Sequence, residues 1–346
     1  MRATTSLPPL SLSVIVPVHN GGDDLRQCLE ALAASERPTD QVIVVDDASS
    51  DDSGAMARQL GADVVRLHDG PRGPAFARNR GAEVADGDVL VFVDADVVVH
   101  EDTLGRIEHC LADHLDVAAL FGSYDDDPPG RSPVSRYKNL LHHYVHQHGN
   151  REASTFWAGC GAIRHRVFAE LGGFDERYDR PCIEDIELGA RLRRSGYTVW
   201  LCPEIQVTHL KDWTLTSLLR ADILNRAIPW TQLMVRERHV PADLNVGIGS
   251  RLSAVLAWAC ALAAGISFWD ARFWPAAAAL LVGVIVLNRR LYRFFAVKGG
   301  PFFAVGAAGL HLLYLLYSSA AFGITAALSL PSVLMGLHRD PGGRPR

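Results

Sequence analysis

Two carboxylates separated by one residue, Asp94 and Asp96, are the feature of this sequence with the clearest chemistry. They follow five consecutive apolar residues, 89–93, which predict a strand buried on both faces of a parallel sheet. Such a strand delivers its last side chains to the edge where open α/β sheets bind ligands. Paired carboxylates can hold a hard cation such as Mg²⁺ or Mn²⁺, which can in turn hold a diphosphate. A solvated acidic turn is the alternative that the pattern leaves open.

The surrounding elements predict an α/β fold with a doubly wound, mostly parallel sheet, because apolar runs alternate with helical patterns. Polar side chains also follow the earlier strands: Asn20 after the first, and Asp46 and Asp47 after the second. The ends of parallel strands share one crevice, so these groups are expected near the acidic pair. The strands are predicted at 12–18, 41–47, 63–67, 89–93, 117–121, 155–163 and 197–201, with a short extended piece at 207–210.

Composition excludes several classes of function. The 346 residues carry a net charge of −5, so no basic surface indicates nucleic acid as a partner. The six cysteines lack C-x-x-C spacing, which argues against a zinc ribbon or a disulfide framework and fits a reducing compartment. No glycine-rich dinucleotide or P-loop motif is present, and no secretory signal is expected before the first strand.

Two further groups of residues have competing interpretations. Glu184 and Asp185 open a predicted helix, where they either cap its first turn or do chemistry. His142 and His146 stand one helical turn apart, which allows a metal site. An amphipathic helix at a membrane or acceptor surface is the favoured reading of the histidines, because no carboxylate or cysteine is placed to complete a site.

Five motifs in this order resemble family-2 glycosyltransferases, inverting enzymes of the GT-A fold, over about residues 11–230. Later residues, 208–215 and 226–230, followed by apolar spans, look like membrane-attached bacterial members of that family. The motifs are Val14-Ile-Val-Pro-Val-His-Asn20, Val44-Val-Asp-Asp-Ala-Ser-Ser-Asp-Asp-Ser53, Ala77-Arg-Asn-Arg-Gly81, Asp94-Ala-Asp96 and Glu184-Asp-Ile-Glu-Leu188.

The resemblance implies roles on the donor side of the site. Pro17 and Asn20 would shape the pocket for the nucleobase, and Asp47 would accept a hydrogen bond from it. Arg78 matches a basic residue near the donor. Asp94 would contact the ribose or the metal.

The resemblance also implies metal, catalytic and acceptor positions. Asp96 would coordinate Mg²⁺ or Mn²⁺ together with Asp94, and His209 would complete the metal or diphosphate site. Asp185 matches the catalytic base, with Glu184 as the next candidate. The acceptor side would be lined by Trp157, Gly159 and Gly161.

The last third of the chain is strongly apolar and predicts membrane helices. We expect a GT-A domain at 1–240, a membrane domain of two to four helices at 241–337 and a basic tail at 338–346. The basic link at 288–298 places the catalytic domain on the cytoplasmic side by the positive-inside rule, in a multi-pass cell-membrane protein. Residues 302–330 are open to interpretation as one span, a kinked hairpin or a partly interfacial segment, and a buried helical subdomain is the alternative to a membrane part.

These features together predict a metal-dependent, hexosyltransferase-like glycosyltransferase. It would move a sugar from a nucleoside-diphosphate sugar to a lipid or lipid-linked hydroxyl at the cytoplasmic face. One alternative is a nucleotidyltransferase, which would be expected to have a lysine in the loop at 19–22, where none occurs. The other is a non-catalytic membrane scaffold with a degenerate transferase domain, against which the retained acidic residues argue.

Overall fold

The computed structural model describes residues 9–241, 243–244 and 247–334. The chain divides into two compact units. The sheet unit comprises Met1–Pro129 and Gly149–Lys211, and the helical unit comprises Gly130–His148 and Asp212–Arg346. Residues 130–148 and 212–240, which we assigned to the catalytic domain from sequence, therefore group with the C-terminal helices. The predicted basic tail at 338–346 lies outside the described residues.

The sheet unit contains one sheet of eight strands within the described residues, in the order β3-β2-β1-β4-β7-β6-β8-β5. The first four strands have the bounds that the sequence predicts, and β5 was not predicted. The strands are β1 (Leu12–Val18), β2 (Gln41–Asp47), β3 (Asp63–Leu67), β4 (Val89–Val93), β5 (Val97–Val99), β6 (Val117–Tyr124), β7 (Cys160–Arg164) and β8 (Thr198–His209).

The α-helices of the described part, numbered along the chain, cover the sheet or build the helical unit. Helices α5 and α8–α12 belong to the helical unit. They are α1 (Gly22–Ala33), α2 (Ser53–Gln59), α3 (Pro74–Glu83), α4 (Thr103–Asp113), α5 (Pro133–Gln147), α6 (His165–Glu170), α7 (Glu184–Arg194), α8 (Leu215–Arg220), α9 (Ile228–Glu237), α10 (Ile248–Ile266), α11 (Trp274–Leu287) and α12 (Arg289–Leu334).

Strand β4 is apolar throughout because both of its faces are covered. Val91 and Val93 join a core cluster that also contains Leu25 of α1 and Leu104 of α4. The intervening Phe92 points the other way, into an aromatic cluster with ring centroids 5.1–6.5 Å from its own. Strands of a doubly wound sheet need this two-sided burial, so the fold class predicted from the apolar run is confirmed.

The sheet is parallel in its first half and mixed in its second. Strands β1–β4 pair in parallel. Strand β7 then runs antiparallel to both of its neighbours, β4 and β6, and β5 runs antiparallel to β8. The predicted strand at 155–163 is limited to β7, and the two pieces predicted at 197–201 and 207–210 form one strand, β8.

In the described part of the helical unit, two helices are long and apolar enough to cross a membrane, Ile248–Ile266 and Arg289–Ser329. The shorter α11 lies between them, and Asn288 at its end donates from Nδ2 to Ser253 Oγ near the start of α10 at 2.9 Å. Helices α10 and α11 therefore run antiparallel. Packing between Ala257, Val284 and Leu315 joins both of them to α12.

Helix α12 is interrupted near its beginning. Gly300 has φ 83° and ψ 171°, outside the helical region. Pro301 follows and favours a helix start, because its fixed φ suits the first helical position and its missing N–H is not needed there. The backbone from 301 to 334 is helical throughout. A kinked hairpin, one of our three interpretations of residues 302–330, is therefore not what this stretch forms.

Candidate active site

The carboxyl ends of β2, β1 and β4 lie side by side, because these strands are parallel neighbours. Asn20, Asp47 and Asp94 come from these three ends. The order of the strands thus brings together residues that are up to 74 positions apart in the chain. This edge is where open α/β sheets bind their ligands.

Arg78 ties two carboxylates together at this edge. Its Nη2 donates to Asp94 Oδ1 at 2.6 Å, and its Nη1 donates to Glu184 Oε1 at 2.8 Å. Burial alone would lower the pKa of the Arg78 guanidinium, but the carboxylates of Asp94, Glu184 and Asp185 raise it above its ordinary value. A permanently charged cation therefore stands next to the acidic pair, and it orients Asp94.

The two carboxylates of the acidic pair differ in their electrostatics. Burial and the nearby Asp96 raise the pKa of Asp94, and the Arg78 guanidinium offsets this only in part. Burial would also raise the pKa of Asp96, but His209 and Lys211 hold it below the ordinary value. Asp96 is thus the carboxylate that stays charged most readily, as a cation ligand requires.

His209 reaches Asp96 through strand pairing. It pairs with Val97 across β8 and β5, and its Nε2 lies 3.6 Å from Asp96 Oδ2. Its ring stacks on Tyr124 at 4.3 Å between centroids, and the ring of Trp157 makes a T-shaped contact with Tyr124 at 4.7 Å between centroids. Sequence analysis did not identify Tyr124, because only the pairing of β6 with β8 brings it here.

The side chains that could ligate a metal fit a cation that the diphosphate of a substrate helps to hold. Among the described residues, no group of three or more His, Cys, Asp or Glu side chains could hold a metal by itself. Mg²⁺ is commonly bound through one or two carboxylates plus phosphates of the substrate, so two carboxylates at a ligand edge match this mode. The roles of Asp94, Asp96 and His209 in metal binding stay predictions.

Glu184 and Asp185 are neighbours with different partners. Glu184 is buried, accepts from Arg78 and also accepts from the Cys182 N–H at 3.0 Å. Asp185 Oδ2 accepts from the Ala158 N–H at 3.2 Å. The N-cap position of α7 is Ile183, and within the described residues it makes no side-chain capping bond. Asp185 Oδ1 also accepts from the Ile186 N–H in the first turn of α7 at 2.8 Å, so a capping role for Asp185 stays an alternative to catalysis.

The predicted nucleobase residues organise two loops. Both oxygens of Asp47 accept backbone N–H groups, from Arg72 and Gly73, at 2.8 Å each. Asn20 has a positive φ of 56°, and its Oδ1 accepts from the Ser50 N–H at 2.7 Å. Each Asp47 oxygen has a further lone pair, so binding of a nucleobase by Asp47 stays a prediction.

Pro17 stands in β1 beyond Ile15, the last residue that pairs with β4. A proline has no N–H to offer a neighbouring strand, so this position past the end of the β4 ladder tolerates it. Its predicted place at the nucleobase pocket is untested by these contacts.

The glycines predicted for the acceptor side make room for the chain itself. A Cβ on Gly159 would lie 2.5 Å from Trp157 Cζ2, and one on Gly161 would lie 2.3 Å from the Trp157 carbonyl oxygen. These close approaches account for both glycines without an acceptor. Contact of Trp157, Gly159 or Gly161 with an acceptor stays a prediction.

His142 and His146 lie in the helical unit, and His142 contacts an arginine. The rings of His142 and His146 are 6.5 Å apart between centroids. His142 Nε2 lies 2.9 Å from Nη1 of Arg226, and since arginine only donates, this nitrogen accepts. It is not available to a metal in this arrangement.

Comparison with known proteins agrees with this geometry. Residues 13–172 match the family model described as Glycosyl transferase family 2. This stretch is a family-2 glycosyltransferase domain. The matched stretch contains nearly all of β1, all of β2–β4, the acidic pair and Arg78, and the match ends before Glu184 and Asp185.

Two curated relatives are also named as glycosyltransferases. "Uncharacterized glycosyltransferase YibD" of Escherichia coli (strain K12) is 41% identical over 113 residues, which are 31% of this chain and 32% of that protein. "Pre-mycofactocin glycosyltransferase" of Mycobacterium tuberculosis is 30% identical over 220 residues, which are 58% of this chain and 44% of that protein. The chain thus spans about a third of the first relative's length and less than half of the second's.

A solved structure shares the fold over nearly the whole chain. It is "Mannosyltransferase PcManGT from Pyrobaculum calidifontis in complex with GDP-Man and Mn2+", with a TM-score of 0.53 and 20% identity. The match covers 94% of this chain and 88% of that one. This likeness confirms the predicted GT-A fold.

Proposed function

We propose that the protein is a membrane-attached, metal-dependent, inverting glycosyltransferase. It takes a sugar from a nucleoside-diphosphate sugar and transfers it to a lipid or lipid-linked hydroxyl. The observation that carries the proposal is the pairing of Arg78 with Asp94 beside Asp96, at the ligand-binding edge of a family-2 domain.

Donor binding follows from the charges at this edge. A diphosphate needs positive charge, and Arg78 provides one buried guanidinium there. Asp96 and Asp94 would hold Mg²⁺ or Mn²⁺, with His209 beside Asp96, and the cation when bound stabilises the charge of the departing diphosphate. A relative of this fold was solved with GDP-Man and Mn2+, which is consistent with such a donor.

Asp185 is the residue we propose as the base. Inverting transfer requires one group that removes the proton from the acceptor hydroxyl as it attacks the anomeric carbon. Glu184 is held by Arg78, whereas Asp185 is positioned by one backbone N–H from the segment that carries Trp157. Only one proton-accepting carboxylate is needed, since no covalent sugar intermediate forms in an inverting reaction.

The helical unit supports the proposed attachment to a membrane. Among the described residues, two helices have the length and composition for crossing, and the basic link at 288–298 lies at the start of the second one. The positive-inside rule then places this link on the cytoplasmic side. A lipid acceptor follows from the attachment, because a transferase held at a membrane works where lipid hydroxyls are concentrated.

A panel of nucleoside-diphosphate sugars tests the proposal directly. The full chain in detergent should be stabilised against heat by one or a few of these donors, and only when Mg²⁺ or Mn²⁺ is present. Radiolabelled donor should then transfer its sugar into a membrane lipid extract. Failure of every donor to stabilise the protein or to be hydrolysed would favour the non-catalytic scaffold instead.

A further inference from the structure

The helical unit contains a cavity of about 310 Å³ whose lining comes entirely from that unit. Most of the lining is apolar, and it includes Trp230 and Phe322. Ligand pockets usually begin at about this volume and combine an apolar wall with a few charged or polar groups. The charged groups here are drawn from different parts of the chain, namely Lys138, Asp222, Arg226 and Arg251.

The charged part of the cavity lining contains a buried ion pair. Lys138 Nζ donates to Asp222 Oδ1 at 2.5 Å, and both side chains are about 95% buried. Tyr317 Oη donates to the other oxygen, Oδ2, at 2.6 Å. Both oxygens of Asp222 are therefore engaged, and its negative charge is matched by Lys138.

Arg226 adds positive charge to this pair. Its Nη1 donates to the neutral nitrogen of His142, which brings no negative charge. Burial and the nearby Arg226 lower the pKa of Lys138, while Asp222 raises it in part. Burial, Arg226 and His143 lower the pKa of the neighbouring His146 to about 3. The electrostatic potential around these side chains is therefore positive.

The local backbone explains how Asp222 and Arg226 both line the cavity. Residues Ala221–Ala227 form a π-helix, which widens one turn before Pro229. Pro229 has no N–H for the usual helical bond, and the Ile228 N–H bonds instead to the Ile223 carbonyl, five residues back. Such π-helical turns are frequently found at functional sites.

Both helices with the composition of membrane spans contribute to the cavity lining. Arg251 lies in the first turn of α10, at the end of a helix with the composition of a membrane span. Phe322 lies in the later part of the other such helix, α12. Charged side chains and apolar walls in one cavity suit an amphiphile with an anionic head. Ionisable groups in such a setting indicate a functional site.

We propose that this cavity binds the terminal phosphate of a lipid, with the lipid chain against its apolar wall. The donors Lys138, Arg226 and Arg251 come from three separate helical segments and all line this one cavity. A terminal phosphate offers three oxygens and close to two negative charges, whereas a carboxylate offers two oxygens in a plane and one charge. The inference rests on the membrane attachment in the proposed function, but not on any particular donor.

Lipid binding by the full chain in neutral detergent tests this, at pH 8, where a phosphate monoester carries nearly two charges. The probes are phosphatidic acid, diacylglycerol with the same chains, phosphatidylglycerol and inorganic phosphate, titrated in native mass spectrometry. Phosphatidic acid should bind at least tenfold more tightly than diacylglycerol, and more tightly than phosphatidylglycerol. Inorganic phosphate should compete only at far higher concentration, because it lacks the apolar chain.

Matched arginine substitutions locate the binding. Arg226→Gln and Arg251→Gln should each weaken binding of phosphatidic acid about tenfold or more. Arg272→Gln removes the same charge from an exposed position outside the cavity and should leave it unchanged. Thermal unfolding of each variant identifies any that is simply unfolded, and Arg251→Gln provides an independent test if Arg226→Gln fails to fold.

Several results would overturn the proposal. Equal binding of phosphatidic acid and diacylglycerol would remove the phosphate from recognition, and equal binding of phosphatidylglycerol would remove the terminal position. Equal effects of the cavity and control substitutions would place the lipid elsewhere. Nucleotide-sugar binding is measured in the same samples, so loss of the proposed donor function and loss of this lipid site are distinguished.

Discussion

Replacing Asp185 with asparagine separates catalysis from stability at the start of α7. Asparagine keeps an oxygen that can accept the Ala158 N–H, so this hydrogen bond survives. What is lost is the acceptor of the Ile186 N–H and a negative charge in the first helical turn, the charge being worth about 0.3–1 kcal/mol. As the proposed base, however, the carboxylate would contribute roughly 10²–10⁴-fold to the rate.

The neighbouring Glu184→Gln is the matched control, because it makes the same chemical change one residue away. Glu184 is buried and pairs with Arg78 at 2.8 Å. Glutamine leaves that buried guanidinium with a neutral acceptor, and the loss of a charge-assisted hydrogen bond costs roughly 1–3 kcal/mol. We therefore expect Glu184→Gln to unfold at a lower temperature than Asp185→Asn.

The assay compares three quantities for each variant: the thermal unfolding midpoint, the affinity for the donor and the rate of sugar transfer at saturating donor. If the acceptor has not been identified, the rate of donor hydrolysis is measured instead of the rate of sugar transfer. Asp185→Asn should lose about a hundredfold or more in rate with nearly normal melting and donor binding. Our reasoning is refuted if Asp185→Asn turns over at the wild-type rate, and the base would then be sought first at Glu184.

Three further predictions concern the metal, the topology and the pH dependence. Asp96→Asn should abolish the gain in donor affinity on adding Mg²⁺ or Mn²⁺ while the protein stays folded, and full activity in excess chelator would contradict it. A cysteine introduced into the link at 288–298 should resist labelling from outside intact cells, in contrast to one introduced at Ala271–Phe273. Asp125 hydrogen-bonds His100 at 3.1 Å and raises the pKa of this histidine. The stability from His100 is therefore complete below its ordinary pKa of about 6.5 and is lost as pH rises through the raised value. His100→Gln should accordingly lower the free energy of unfolding more at pH 5.5 than at pH 8.5, and an equal loss at both pH values would argue against this ion pair.

The sequence by itself determined the first half of the sheet and the position of the acidic pair. Strands β1, β2 and β4 are largely apolar runs rich in β-branched residues, and this local pattern predicts both their bounds and their burial. The bounds of β3 were also predicted, although this strand at the edge of the sheet is only partly buried. The crossover connections between parallel strands place all four carboxyl ends at one edge. Asp94 and Asp96 could therefore be assigned to the ligand edge without coordinates.

The local sequence pattern could not predict the second half of the sheet. Strand β7 is antiparallel between β4 and β6, and β5 has only three residues. Short strands carry little periodic signal, and pairing partners far apart in sequence are chosen by the whole sheet. The stacking of Tyr124 on His209, which depends on β6 and β8 being neighbours, could not be predicted for that reason.

Only the tertiary structure decided the partners of the charged residues. The sequence contains Arg78, Glu184 and Asp185 as motif residues, but it does not say that the arginine engages Glu184 and that Asp185 is held by Ala158. In the helical unit, Lys138 and Asp222 are 84 positions apart, and their pairing was not foreseen. Sequence patterns report which face of an element is apolar, whereas the energy of a buried charge depends on the few ångströms between it and its partner. That distance exists only once the chain has folded.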